Sequence, residues 1–252
     1  MPRYDFAAQR LCVDAPLAAG ARIELNHTQA NYVRNVLRLS HGAALLVFNG
    51  RDGEWEAAVD VSDKRKTALT VRKLTRQQEP PPALHYLFAP LKQARQDYMI
   101  EKAVEMGAGR LRPVLTRRTQ ASRVNIERLR AHAIEAAEQC GILSIPAIDA
   151  PARLDRLLEG WDEQRLLIFC DEDAPVQDPC AILAPAAQSS PRPLAVLIGP
   201  EGGFDPMERE ALLRLPCVLR LPLGPRILRA DTAAVAALAL VQAVLGDWRD
   251  KH

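Results

Sequence analysis

Aromatic side chains are scarce, only 5% of 252 residues, so a broad surface of base-stacking rings is not expected. Cysteine is equally sparse. Cys12, Cys140, Cys170, Cys180 and Cys217 are scattered, odd in number and without a CxxC pair. That argues against a disulfide framework and against a zinc site, and fits a reducing compartment. The longest apolar run, Ala233 to Leu245, is interrupted by Gln242 and is too short to span a bilayer. The opening residues, MPRYDFAAQR, hold no apolar signal-peptide core. The expectation is a soluble, cytoplasmic protein with no membrane partner.

Net charge is also small, +2, but it is unevenly spread. Residues 1–80 carry +3, residues 81–130 carry +6, residues 131–190 carry −8 and residues 191–252 carry +1. A basic first half beside an acidic segment suits a surface that meets a polyanion. Solvated helix faces of mixed sign would give the same count, so charge alone decides nothing. With 48% hydrophobic and 25% charged residues the chain has ordinary globular composition.

Three consecutive prolines close the polar stretch Thr75–Pro82, which reads as a semi-rigid linker. Before it, apolar stretches at 43–49, 54–61 and 67–74 alternate with turns such as Asn49-Gly50 and Asp52-Gly53. This is the pattern of a small antiparallel β domain, with one short helix over 28–38. After the linker, strands at 84–89, 111–115, 166–170, 195–198 and 218–221 alternate with helices, which implies a parallel sheet. Asn125 and Asp205 are suited to cap helices, the latter followed by Pro206 and Glu208. The last helix, about 231–245, is apolar nearly all round, so it is buried in a core or against another subunit.

Two loops carry chemical promise. The strand ending at Ile198 runs into Gly199-Pro-Glu-Gly-Gly203, whose glycines allow a tight turn and bring backbone N–H groups close to a ligand. The carboxyl end of a strand is also where open α/β sheets bind ligands. The spacing is neither GxGxxG nor a P-loop, and taken alone it means a tight turn. The second loop, Leu221-Pro-Leu-Gly-Pro-Arg-Ile-Leu-Arg-Ala-Asp231, repeats the strand–loop–helix pattern and adds Arg226 and Arg229. Taken singly, Arg229 reads as an ion-pair partner and Asp231 as a helix cap.

Together, LIGPEGGF and LGPRILRADTA resemble the signature of the small-subunit ribosomal RNA uridine-N3 methyltransferases, the RsmE family of the SPOUT class. Lys92-x-x-Arg95, Lys102-x-x-Glu105-x-Gly107, Glu135-Ala-Ala-Glu-Gln139 and Val36-Leu-Arg-Leu39 with Gly42 resemble its other motifs, so the resemblance covers nearly the whole chain. It implies a PUA-like RNA-binding domain over 1–74, the linker over 75–82 and a SPOUT methyltransferase domain with a trefoil knot over 83–252. It also implies a homodimer, S-adenosylmethionine as cofactor, and N3 of a specific uridine in 16S rRNA of the small ribosomal subunit as target. The implied cofactor contacts are Leu197, Ile198, Gly199, Glu201, Gly202, Gly203, Leu221, Leu223, Gly224, Ile227 and Leu228, with the segment after Cys170 as a third wall. The family commonly has Thr-Glu-Thr-Ala where this chain has Ala230-Asp231-Thr232-Ala233, an arginine at Ile142 and a His pair at Asn31-Tyr32.

No metal is required for such a transfer, because a methyl on a sulfonium is already electrophilic. Uracil N3 must lie in line with that methyl, roughly 3–3.5 Å away. Its proton must be accepted, and the charge developing on the ring must be stabilised. The catalytic candidates are Arg229 for the charge and Asp231 for the proton, although a helix start also holds Asp231 as a capping group. Glu201 is the reserve base, and Glu138 and Gln139 either orient the cofactor loop or face the sheet. Arg3, Arg34, Arg38, Lys92, Arg95, Lys102, Arg117, Arg118 and Arg123 are the candidate RNA contacts, as phosphate partners. Two alternatives remain: a SPOUT methyltransferase acting on another RNA atom, and a catalytically inactive RNA-binding protein.

Overall fold

The computed structural model describes residues 8–62, 66–120, 123–189 and 192–249. Arg3 lies outside them. The chain divides into two compact units, Met1–Pro81 with Ile134–Ile145, and Pro82–Ala133 with Pro146–His252.

The first unit is a curled sheet built from β1 (Arg10–Cys12), β2 (Arg22–Glu24), β3 (Ala44–Phe48), β4 (Glu54–Asp60) and β5 (Ala68–Arg76), in the order β1-β3-β4-β5-β2. Neighbours are antiparallel except β1 and β3, which run parallel. Alternating residues such as Leu45, Val47, Ala57, Val59, Leu69 and Val71 point into one core, as a half-buried strand requires. Helix α1 (His27–Asn31) starts with a capping box between Asn26 and Gln29. The single helix expected over 28–38 is two pieces, because α1 widens into a π-helical turn at Tyr32–Val36 and stops at Arg38, whose φ is +54°.

Strand β5 continues to Arg76, further than the polar composition of the 75–82 stretch suggests. The cause is Glu54, a nearly fully buried carboxylate that accepts from Arg76, Thr75 and Arg10. Residues 134–145 complete this unit: Glu138 accepts from the backbone N–H of Cys12, and Arg76 donates to the carbonyl of Gly141. Glu138 is therefore a bonding partner of β1.

The second unit holds β6 (His85–Phe88), α2 (Gln93–Glu105), β7 (Arg110–Leu115), the start of α3 (Ile126–Cys140), β8 (Ala147–Ile148), β9 (Ala152–Arg153), α4 (Leu154–Glu159), β10 (Leu166–Cys170), α5 (Pro179–Ala187), β11 (Leu194–Ile198), α6 (Pro206–Leu213), β12 (Val218–Leu221) and α7 (Ala230–Val244). The sheet order is β12-β10-β11-β6-β7-β8, with β9 also on β7, and its recorded pairings are parallel. Its central strands are apolar on both faces because helices cover both. Asn125 caps α3 through the Arg128 N–H, and Asp205 and Glu208 form a capping box on α6, as their sequence positions predict.

Helix α7 buries Ala234, Ala237, Leu238, Val241 and Gln242, one stripe at helical spacing. Gln242 is satisfied there by the carbonyl of Met106 at 2.7 Å. Val235 and Ala239 on the other side are only partly covered, and Ala243 is exposed. Among the described residues, no helix is long and apolar enough to cross a membrane.

Candidate active site

Strands β10, β11 and β12 are adjacent and in register, with Phe169 opposite Leu197 and Cys170 opposite Leu221. Their carboxyl ends therefore align, and the three loops that leave them enclose a cavity of about 500 Å³. That is the size of a small-molecule site. The loop after β11 turns back at Gly203, whose N–H donates to the carbonyl of Pro200 at 2.9 Å and whose φ is +68°. Gly199 lies directly under the Phe204 ring, where any Cβ would overlap it. Phe204 in turn sits edge-on to Phe169, with centroids 5.1 Å apart, which anchors the loop to the sheet.

Most of the residues expected at a cofactor site meet in this cavity. Ile198, Gly199, Glu201, Gly202 and Gly203 line one side, and Leu221, Leu223, Gly224, Ile227 and Leu228 another. Leu197 does not join them. It is 1% exposed in the core with Phe169 and Phe204, because successive strand residues point to opposite faces.

The third wall is the loop after β10, and its acidic residues were not singled out from the sequence. Asp171 is buried and accepts two bonds from Arg209, both 3.0 Å, and one from Arg220 at 2.8 Å. Glu172 lines the cavity, and desolvation followed by repulsion from Asp173 and Asp171 raises its pKa. Burial pushes the Cys170 thiol up to about 12, so it is neutral and not a nucleophile.

Arg229 does not line the cavity; it stands between the lining residues Leu228 and Ala230 as the N-cap residue of α7, exposed and without a side-chain capping bond. Asp231 is not the cap. It sits in the first turn of α7 and accepts from the N–H of Thr232 at 3.0 Å.

The basic candidates divide into committed and free side chains. Arg95 pairs with Glu201, Arg118 donates to the carbonyl of Gly202 at 2.9 Å, and Arg117 pairs with Asp205 at 2.9 Å. These three brace the Gly199–Asp205 loop. Lys102 pairs with Glu105, and Arg34 donates to Thr67 Oγ1 and the carbonyl of Lys66. Among the described residues, Lys92, Arg38 and Arg123 close no ion pair. Lys92, Arg118 and Gln120 line a smaller cavity of about 160 Å³ that shares Pro200 and Glu201 with the larger one.

A family model described as an RNA methyltransferase domain matches residues 78–242, and one described as an RNA methyltransferase PUA domain matches residues 25–71. The ribosomal RNA small subunit methyltransferase E of Rickettsia conorii is 31% identical over 92% of this chain and 94% of its own. The chain belongs to the RsmE family of RNA methyltransferases. The RsmE of Synechocystis is also 31% identical, over 94% of this chain and 78% of its own. Among solved structures, a Legionella pneumophila methyltransferase in complex with S-adenosylmethionine superposes with a TM-score of 0.79 at 30% identity, covering 95% of this chain and 99% of that one. The RsmE of Neisseria gonorrhoeae superposes at 0.82 with 22% identity, over 96% and 99%, which shows a shared fold. A PUA-like unit and a parallel α/β methyltransferase domain thus make up this RsmE-family chain, as its motifs imply.

Proposed function

We propose that this protein transfers a methyl group from S-adenosylmethionine to N3 of one uridine in 16S rRNA. The coarser activity, cofactor-dependent methylation of ribosomal RNA, follows from membership of the family. The observation that carries the finer reading is the cavity at the ends of β10, β11 and β12, with Arg229 and Asp231 on either side of its lining residue Ala230. The donor set fits the cofactor: close glycine backbone, apolar Ile198, Leu221 and Leu223, and one unneutralised carboxylate for a cation. Gly199, Glu201, Gly202, Gly203, Leu221, Leu223, Gly224, Ile227 and Leu228 would hold it. The bound cofactor supplies a methyl group activated by its sulfonium.

The other parts belong to this chain. Arg229 presents a permanent positive charge to the uracil carbonyl edge as the ring becomes anionic. Asp231 takes the N3 proton while the N3–methyl bond forms and the sulfur–methyl bond breaks. Lys92, Arg38 and Arg123 are free to reach phosphates, and the PUA-like unit enlarges the RNA contact. The homodimer rests on the partly uncovered apolar side of α7 around Val235, Ala239 and Ala243. The knot rests on strand order, in which β12 returns beside β10 rather than beside β11. Action on ribosomal RNA implies a cytoplasmic location.

The test is transfer of tritiated methyl from S-adenosylmethionine to 30S subunits and to naked 16S RNA from cells lacking this protein, with mass-spectrometric mapping. Label at N3 of one uridine is the expected result. Label on another atom would favour the related SPOUT reading. Cofactor binding without transfer would favour an inactive RNA-binding protein.

A further inference from the structure

Of the charged residues that line the 500 Å³ cavity, two carboxylates are already neutralised. Asp171 is held by Arg209 and Arg220, and Glu201 is paired with Arg95. Arg226 is exposed at the rim. Glu172 differs from all of them. Among the described residues no cation lies within ion-pairing distance of it, and its carboxyl packs against the Cα of Gly203, so that any side chain there would overlap Oε1. Arg209 is within electrostatic reach, but its guanidinium is bound on two nitrogens by Asp171. Glu172 keeps contact with solvent at the cavity edge, its carboxylate takes backbone N–H bonds from its own residue and from Phe204, and Asp173 and Asp171 add like charge beside it. The surrounding wall is glycine backbone with Ile198, Leu221, Leu223 and Ala233, so Glu172 is the carboxylate of this lining that no side-chain cation among the described residues neutralises.

A cavity-lining carboxylate with no cation partner of its own favours a cationic occupant. We propose that Glu172 is the specificity residue that makes this cavity prefer a positively charged cofactor over its neutral product. S-adenosylmethionine carries a sulfonium, and S-adenosylhomocysteine, after methyl transfer, has a neutral thioether in the same place. Glu172 then stabilises the reactant complex and loses that interaction when the methyl leaves, which favours product release. The inference rests on the cofactor reading given above and goes beyond it by assigning charge discrimination to one side chain.

The test is calorimetric binding of three ligands to the intact protein: S-adenosylmethionine, sinefungin, whose ammonium stands in for the sulfonium, and S-adenosylhomocysteine. Glu172→Gln keeps the shape and removes the charge. It should weaken both cations about tenfold while leaving the neutral product within about threefold. Glu172→Asp, with the charge retained on a shorter arm, should recover part of the loss, and thermal melts would show that both variants fold. Equal weakening of all three ligands, or no weakening of the cations, overturns the assignment to charge. Failure of the wild-type protein to bind any of them would instead overturn the cofactor reading, and this inference with it.

Discussion

The carboxyl of Glu172 occupies the space directly above the Cα of Gly203. Gly203 also has a φ of +68°, a conformation that costs any L side chain. The φ demands glycine, and a side chain at this position would also displace the flexible end of Glu172. Gly203→Ala is expected to lower stability by about 1–2 kcal/mol and to push Glu172 out of the cavity wall. Its signature is a drop in S-adenosylmethionine affinity larger than the drop in melting temperature explains. An alanine variant with unchanged cofactor affinity would show that the wall is pliable and the contact incidental.

Asp171 is the brace behind that wall. It is 3% exposed and takes three charge-assisted bonds from two arginines that themselves retain some solvent contact. Asp171→Asn should cost about 2–3 kcal/mol, below the range for a fully buried pair because Arg209 and Arg220 can turn to water. Asp173→Asn, on an exposed neighbour 3.7 Å from Arg209, should cost roughly 0–1 kcal/mol. Urea unfolding of the two variants side by side checks the contrast, and equal costs would contradict it.

Much of this was legible in the sequence, for identifiable reasons. The strand over 166–170 matches its apolar run residue for residue, because a central parallel strand covered on both faces needs continuous apolar side chains, and the edge strand over 218–221 matches too although it carries Arg220. Asn125 and Asp205 declared their helices through capping chemistry, which is local. The misses are tertiary. Nothing in the composition of Glu135–Gln139 says that Glu138 will bond to Cys12, 126 residues away. Asp171 and Glu172 looked like two charges in an acidic run, and their different fates follow from Arg209 and Arg220, brought in from α6 and β12. Leu197 was placed at the cavity by its neighbours, whereas the strand's alternation turns it into the core. Asp231 reads as the cap of α7 in the sequence, but the boundary lies two residues earlier, at Arg229.

Glu138 links the first unit's stability to pH. Burial first, then repulsion from Glu135, raises its pKa, against the lowering effect of the Cys12 N–H. A carboxyl whose folded pKa is raised binds its proton more tightly in the native state than in the unfolded one. Its ionisation therefore opposes folding, so its contribution worsens as pH rises through that raised value and vanishes well below the usual carboxylate range. Glu138→Gln keeps an acceptor for Cys12 and should be at least as stable as wild type at pH 8, the difference closing on acidification. Glu138→Ala removes the carboxylate that accepts from the Cys12 N–H and should cost about 1–3 kcal/mol at any pH. Melts across pH 4–8 separate the two, and a glutamine variant less stable than wild type at pH 8 would refute the sign.

Tyr86 presents a related case without charge. The residue is fully buried, its ring stacks on Phe88 at 5.3 Å, and among the described residues its hydroxyl has no hydrogen-bond partner. An unsatisfied buried hydroxyl carries a desolvation penalty with no compensating bond. Tyr86→Phe should therefore stabilise the protein, by about 1 kcal/mol, visible as a raised urea midpoint with an unchanged slope. A clear loss of stability would mean that the hydroxyl finds a partner in solution.

Arg229 bears on catalysis itself. It is exposed at the start of α7, makes no capping bond, and stands two residues before Asp231, so its guanidinium is available to a substrate rather than to the fold. Under the proposed mechanism its charge is felt most when uracil has lost its N3 proton, and least by the cofactor or the neutral base. Arg229→Ala should then lower single-turnover methylation by roughly 10²–10³-fold, the range seen for loss of one transition-state donor, with cofactor affinity and melting temperature nearly unchanged. Arg229→Lys keeps the charge but loses the planar fork, and should recover only part of the rate. Raising the pH tests the same idea independently. If Arg229 favours the anionic ring, the alanine variant should gain proportionally more rate than wild type as solvent takes over removal of the N3 proton. An alanine variant with wild-type turnover would exclude Arg229 from the reacting centre and leave Asp231 and Glu201 as the residues to vary next.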